Sequence, residues 1–199
     1  SEIQVNLNSA ILKLKQGAQN LQTMPLTQRR QLIESCAANI PDFAQQWVEV
    51  TCDAKQISLT QPAASEEILA GPATLLRYLR LLSQLFQDVE HAGKPQLPSP
   101  PHRNQIGRTC VPILPVRSLF DSLTFRGLSA EVWLNPEYRD QDIFAELPSD
   151  QNSVGNGKIA GVLGAGNVSA IPATDMLYKI FHDGEVVLLK LNPVNDYLY

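Results

Sequence analysis

Residues 158–199, reading KIAGVLGAGNVSAIPATDMLYKIFHDGEVVLLKLNPVNDYLY, hold two short apolar runs with an amphipathic segment between them, and this pattern limits the fold more than any other stretch. The first run, 159–163, ends in Gly164, Ala165, Gly166 and Asn167 and reads as a buried strand entering a tight turn. Ser169 is placed to cap a helix, Pro172 is tolerable in its first turn, and Ala173, Leu177, Ile180 and Phe181 fall on one face. Asp183 and Gly184 stop that helix. Residues 185–191 (EVVLLKL) then form a second strand, closed by Asn192 and Pro193. Apolar strands joined by a helix imply a right-handed crossover in a parallel sheet buried on both faces. Ligands of such sheets bind beyond the carboxyl ends of the strands, where Asn167 and Lys190 lie.

The upstream sequence is helical. Residues 5–22 carry apolar positions at helical intervals until Met24 and Pro25 interrupt them. Thr27 can cap residues 28–39, with Leu32, Ile33, Cys36 and Ala37 as the apolar stripe and Ile40-Pro41 as the stop. Asp42 is then expected to start a third helix that turns Phe43, Trp47, Val50 and Cys52 inward and frays at 53–56. Residues 65–90 carry the longest helical signal, with Ser65, Glu66 and Glu67 as cap and acidic first turn and Leu69, Leu76, Leu79, Leu82 and Phe86 as a core-packing stripe. Pro72 is expected to kink this helix or restart it after Gly71.

Residues 93–106 are rich in proline and form a connector. Residues 107–135 change to a β pattern, with strands expected at 109–116, 122–126 and 130–134; Pro112 and Pro115 restrict the first to an edge or an irregular course. Residues 135–157 are polar and turn-rich. The chain is thus an α/β protein: a helical layer over 1–92, the connector, a β-arm, and a β-α-β unit over 158–199. Two parallel strands do not complete a doubly wound sheet, so the Rossmann-like sheet is expected to be incomplete.

Among 199 residues, a formal charge of −4 and no basic cluster longer than Gln28-Arg29-Arg30-Gln31 exclude a nucleic-acid backbone as the main partner. No apolar run has the length of a membrane span, the N-terminus lacks the pattern of a secretion signal, and a cytoplasmic location is expected. Cys36, Cys52 and Cys110 have no CxxC spacing and read as reduced, inert thiols. His91, His102 and His182 have no metal-ligand spacing, so no metal is expected, and no cysteine has a histidine near it in sequence to activate it.

Gly164 and Gly166 match two glycines of the dinucleotide fingerprint GxGxxG, with Ser169 where the third would stand. The acidic residue that would bind a ribose at the end of the second strand is replaced by Lys190. A tight turn that needs small residues accounts for the same pattern.

The stretch GAGNVSAIPATDMLYKIFHDGEVVLLKLNP resembles the aldehyde dehydrogenase superfamily, within it the branch of acyl-CoA reductases and related aldehyde dehydrogenases. Gly184 follows Asn167 by 17 positions and Lys190 by 23, intervals that match the family's without a gap. The helices up to Phe86 are similar to its N-terminal layer and 107–135 to its oligomerisation strands. The resemblance implies that Asn167 donates its amide to the oxyanion of a covalent intermediate, and that Lys190, with Gly164, Gly166 and Asn192 about it, binds the coenzyme. Many members carry an acidic residue three positions after the lysine, which favours NAD; this chain has Pro193, so NADP is slightly favoured over NAD. Met176 stands where hydrolytic members carry a lysine, which leans the reaction toward an aldehyde or acyl-CoA substrate of the acylating kind. The family's catalytic cysteine and glutamate fall beyond Tyr199, so the chain is expected to be the N-terminal part of a longer enzyme, inactive alone, and a homo-oligomer through its arm. A non-catalytic interaction fragment and a small dinucleotide-binding module of the usual Rossmann type are the alternatives.

Overall fold

The computed structural model describes residues 2–115, 118–138, 143 and 157–199; the polar run 144–156 lies outside them. The chain forms two compact units, Ser1–Gln87 with Asp150–Tyr199, and Asp88–Ser149.

The first unit opens with α1 (Glu2–Thr23) and α2 (Leu26–Ala54). Arg29 joins them: its guanidinium is buried and donates to the carbonyls of Leu21 and Met24, at the end of a helix that has no basic residue in its own last turn. α2 runs unbroken through Pro41, so the separate helix expected from Asp42 does not exist. Pro41 sits on the exposed side, while Ile33, Ala37, Ile40 and Trp47 keep one face of α2 on the core. Burial of that continuous face outweighs the single backbone bond that proline removes. Phe43, expected inside, is 61% exposed, and Cys36 and Leu32 also face out.

α3 (Ala63–Ile68) leads into a π-helical turn (Leu69–Ala73) with Gly71 out of helical geometry, and α4 (Thr74–Ala92) restarts beyond it, as Gly71-Pro72 foretells. The irregular turn resets the helical phase. Leu69 is therefore exposed instead of buried, and Leu75, Leu79, Leu82 and Phe86 make the stripe. That stripe packs with Ile33 of α2 and with Leu177 and Phe181, the Phe86 and Phe181 rings meeting edge to face at 6.2 Å.

β4 (Ile159–Leu163), α6 (Ile171–Phe181) and β5 (Val186–Lys190) complete this unit as a strand, helix and parallel strand in the register Ile159↔Val186 to Leu163↔Lys190. Gly184, at φ 67°, takes the left-handed conformation that ends the helix. The two strands are only partly covered; Val162 is buried and Leu163 is 81% exposed. The expected burial on both faces fails because, among the described residues, the sheet holds two strands and each is an edge. A short 3-10 helix (Pro193–Leu198) follows.

In the second unit β1 (His102–Arg103), β2 (Thr109–Leu114) and β3 (Ala130–Trp133) form an antiparallel sheet in the order β1-β2-β3. Among the described residues, β2 is central only at Thr109 and Cys110; at Pro112 it pairs with β3 alone and the register shifts, so the proline occupies a locally free edge. The strand expected at 122–126 is instead α5 (Leu119–Thr124), because the Ser118 hydroxyl accepts from the Asp121 amide and caps a helical turn. Among the described residues no helix is long and apolar enough to cross a membrane.

Candidate functional site

The carboxyl ends of β4 and β5 carry the residues that the sequence singles out. The ladder runs one bond past Leu163, with the Gly164 amide donating to the Lys190 carbonyl at 2.8 Å. Neither Gly164 nor Gly166 has a positive φ; both are needed for close approach. A Cβ at Gly164 would lie 3.2 Å from Pro172 of α6 and 3.3 Å from the Lys190 carbonyl oxygen. One at Gly166 would lie 2.9–3.1 Å from the amide group of Asn192. In the usual dinucleotide turn the second glycine clears space for a pyrophosphate. Here that clearance is filled by the chain's own Asn192, which weighs against the module of the usual type.

Asn192 Oδ1 accepts from the Val194 amide at 3.0 Å and so caps the 3-10 helix. Asn195, fully buried, donates from Nδ2 to the Ala165 carbonyl at 2.8 Å and accepts from the Tyr197 hydroxyl at 3.0 Å. The 3-10 helix therefore holds the turn through Asn195. Trp47 Nε1 donates to Ser169 Oγ at 3.0 Å, and Gly71 packs so closely that its Cβ would lie 3.1 Å from the same oxygen. Ser169 is thus a buried acceptor for α2. It is not the cap of α6, whose N-cap position falls at Ala170.

Lys55 and Glu67 form a third brace. Lys55 Nζ donates to both Glu67 carboxylate oxygens at 2.8 Å and lies 3.5 Å from the Asn167 carbonyl. Glu67 is buried, so these two residues are an anchored pair rather than a frayed helix end and a solvated first turn. The turn is held at its backbone, which leaves the side chain of Asn167 exposed. Lys190 is also exposed; its Nζ lies 3.5 Å from the Leu191 carbonyl and forms no ion pair among the described residues. Gly164, Gly166, Asn192 and the Lys190 backbone are thus brought together, with the polar ends of Asn167 and Lys190 at the open ends of their strands. The sequence gives no local signal for Trp47, Lys55, Glu67 or Asn195, since each acts on a partner distant in sequence.

The antiparallel sheet assembles a second group that sequence spacing missed. His102, Cys110 and Glu131 have donor atoms within 4.8 Å of one another. Cys110 therefore has a histidine opposite it across the ladder, which its sequence neighbourhood does not show. Burial pushes its thiol up and the Glu131 carboxylate adds to that, while Asn104 opposes it. A buried thiol so shifted is not an activated nucleophile.

Compared with protein-family models, curated proteins and solved structures, the chain has no match.

Proposed function

We propose that this chain is the coenzyme-binding part of an NAD(P)-dependent oxidoreductase of the aldehyde dehydrogenase type, acting on an aldehyde or an activated acyl group. The observation that carries the proposal is the pairing of β4 and β5, joined by α6, with Asn167 and Lys190 exposed at their carboxyl ends. In this reading Lys190 hydrogen-bonds the adenosine ribose, and its charge, with Pro193 where an acidic residue would repel a 2′-phosphate, admits NADP as well as NAD. The Asn167 amide donates to the oxyanion of a thioester-forming intermediate, where one such donor is worth about 10²–10³ in rate. In this reading none of Cys36, Cys52 and Cys110 is the nucleophile, and the 199 residues bind coenzyme without turning it over.

The arm supplies self-association in the same proposal. Among the described residues β3 is an edge strand of its sheet, and Ile113, Leu119, Phe120, Leu123 and Trp133 of the arm are exposed. A second copy would add to this edge.

The test is titration of the chain with NADPH and NADH, followed by coenzyme fluorescence, in the wild type and in Lys190→Ala. Binding of NADPH that Lys190→Ala weakens about tenfold or more, the range for a hydrogen bond to a charged group, supports the proposal. Absence of binding, or binding indifferent to Lys190→Ala, refutes it. Self-association without nucleotide binding would leave the non-catalytic interaction fragment, which the exposed arm favours.

A further inference from the structure

We infer that His102, Cys110 and Glu131 form a zinc(II) site that fastens together the three strands of the antiparallel sheet. Each strand contributes one ligand. Cys110 on β2 pairs across the ladder with His102 on β1 and, on its other side, with Trp133 on β3; Glu131 pairs with Pro112, two residues along β2 from Cys110. Paired residues share a face and so do residues two apart, so all three ligands project from one side of the sheet.

Their spacing suits a tetrahedral ion. Zinc bonds of about 2.0–2.3 Å place neighbouring ligand atoms about 3.3–3.7 Å apart. His102 Nε2 and Glu131 Oε2 are already 3.3 Å apart, and all three donor atoms lie within 4.8 Å. A set of one imidazole, one thiolate and one carboxylate fits zinc, since calcium and magnesium take oxygen ligands. Three protein ligands leave a fourth position for water on the side where His102 and Glu131 are exposed.

Neighbouring groups already hold these ligands in place. Trp133 Nε1 donates to Glu131 Oε1 at 2.6 Å, which turns Oε2 toward His102. Asn104 Oδ1 accepts from the amides of Ile106 and Arg108 at 3.1 and 3.0 Å, so its amide plane is set. The buried Asn104 side chain interacts with Cys110, and its Nδ2 would donate to a metal-bound cysteine sulfur. The ion would also account for β1, which has only two residues to pair and would be fastened through His102.

The test is titration of the full chain, reduced and stripped with a chelator, with cobalt(II) and then zinc(II). A near-ultraviolet thiolate-to-cobalt band with intense visible bands of tetrahedral cobalt, saturating at one ion per chain and displaced by zinc, is expected. Cys110→Ser should abolish the charge-transfer band. His102→Gln and Glu131→Gln, which keep the thiol and alter exposed positions, should each weaken cobalt binding by at least about tenfold. No band in the wild type, a band that persists in folded Cys110→Ser, or binding unchanged in both His102→Gln and Glu131→Gln would overturn the inference. Should Cys110→Ser fail to fold, the two exposed variants decide it.

Discussion

Replacing Gly166 by alanine tests whether the turn after β4 is shaped by Asn192. The added Cβ would sit 2.9 Å from Asn192 Cγ, 3.0 Å from Nδ2 and 3.1 Å from Oδ1, and its three nearest atoms all belong to that one amide. Asn192 must move, and in moving it gives up the bond from the Val194 amide. Overpacking of this kind costs about 1–3 kcal/mol. Asn192→Ala alone removes a helix cap, worth about 1 kcal/mol. If the two acted independently, Gly166→Ala/Asn192→Ala would lose about 2–4 kcal/mol. Because the clash needs the amide, the double variant is instead expected to lose only about 1 kcal/mol, the cap alone. The assay is urea unfolding followed by Trp47 fluorescence in a Trp133→Phe background, Trp47 being tied to the turn through Ser169. Thermal midpoints should follow at about 2–4 °C per kcal/mol for a chain of this size. Losses that add to within about 0.5 kcal/mol would refute the claim that Asn192 fills the space over Gly166.

Arg29→Met should lower stability by about 2 kcal/mol, since the carbonyls of Leu21 and Met24 lose a charged donor, and Arg29→Lys should not restore it because one ammonium does not reproduce the fork; an unchanged urea midpoint would count against this. Titration with a disulfide reagent should find one fast thiol in the native chain, the exposed Cys36, and three in denaturant, because Cys52 and Cys110 are buried. A fast reaction at Cys110, located by peptide mass, would contradict its burial. Asp183 is held below the usual carboxylate range by the hydrogen bond from Lys179 and then by that from His182. Its contribution is therefore fully present above the unfolded value and lost as pH falls through the lowered folded value. Asp183→Asn should flatten the acid side of the stability profile and leave a smaller change with pH; an identical acid limb would refute the assignment.

The β-α-β unit was legible because its signals are local. Two short apolar runs, a period near four and a glycine at the helix end lie within a few residues of the positions they govern, and Ile159–Leu163 falls where the sequence places it. The misreadings share the opposite property. Pro41 is a helix stop by local rule, yet Ile33, Ile40 and Trp47 belong to a face that the core of α4 and α6 keeps buried. Residues 122–126 alternate like a strand, but Ser118 upstream closes a helical turn first. At the candidate site the strand-end positions of Asn167 and Lys190 were readable, whereas the bonds bracing the turn join Trp47 to Ser169 and Asn195 to Ala165 across 122 and 30 residues.

The cluster of His102, Cys110 and Glu131 makes the same physical point about ligand motifs. Spacings such as CxxC identify metal sites because both ligands come from one tight turn, so their separation in sequence is bounded by its geometry. When each ligand comes from a different antiparallel strand, separation in sequence measures only the lengths of the connections between strands. The distance in space is set by pairing register, which here places His102 opposite Cys110 and Glu131 opposite Pro112. Such a site becomes visible once the register is known, and a one-residue slip would turn alternate ligands to opposite faces of the sheet. Metal binding and strand register are therefore coupled: an ion that holds all three ligands also selects the register in which β1, β2 and β3 pair.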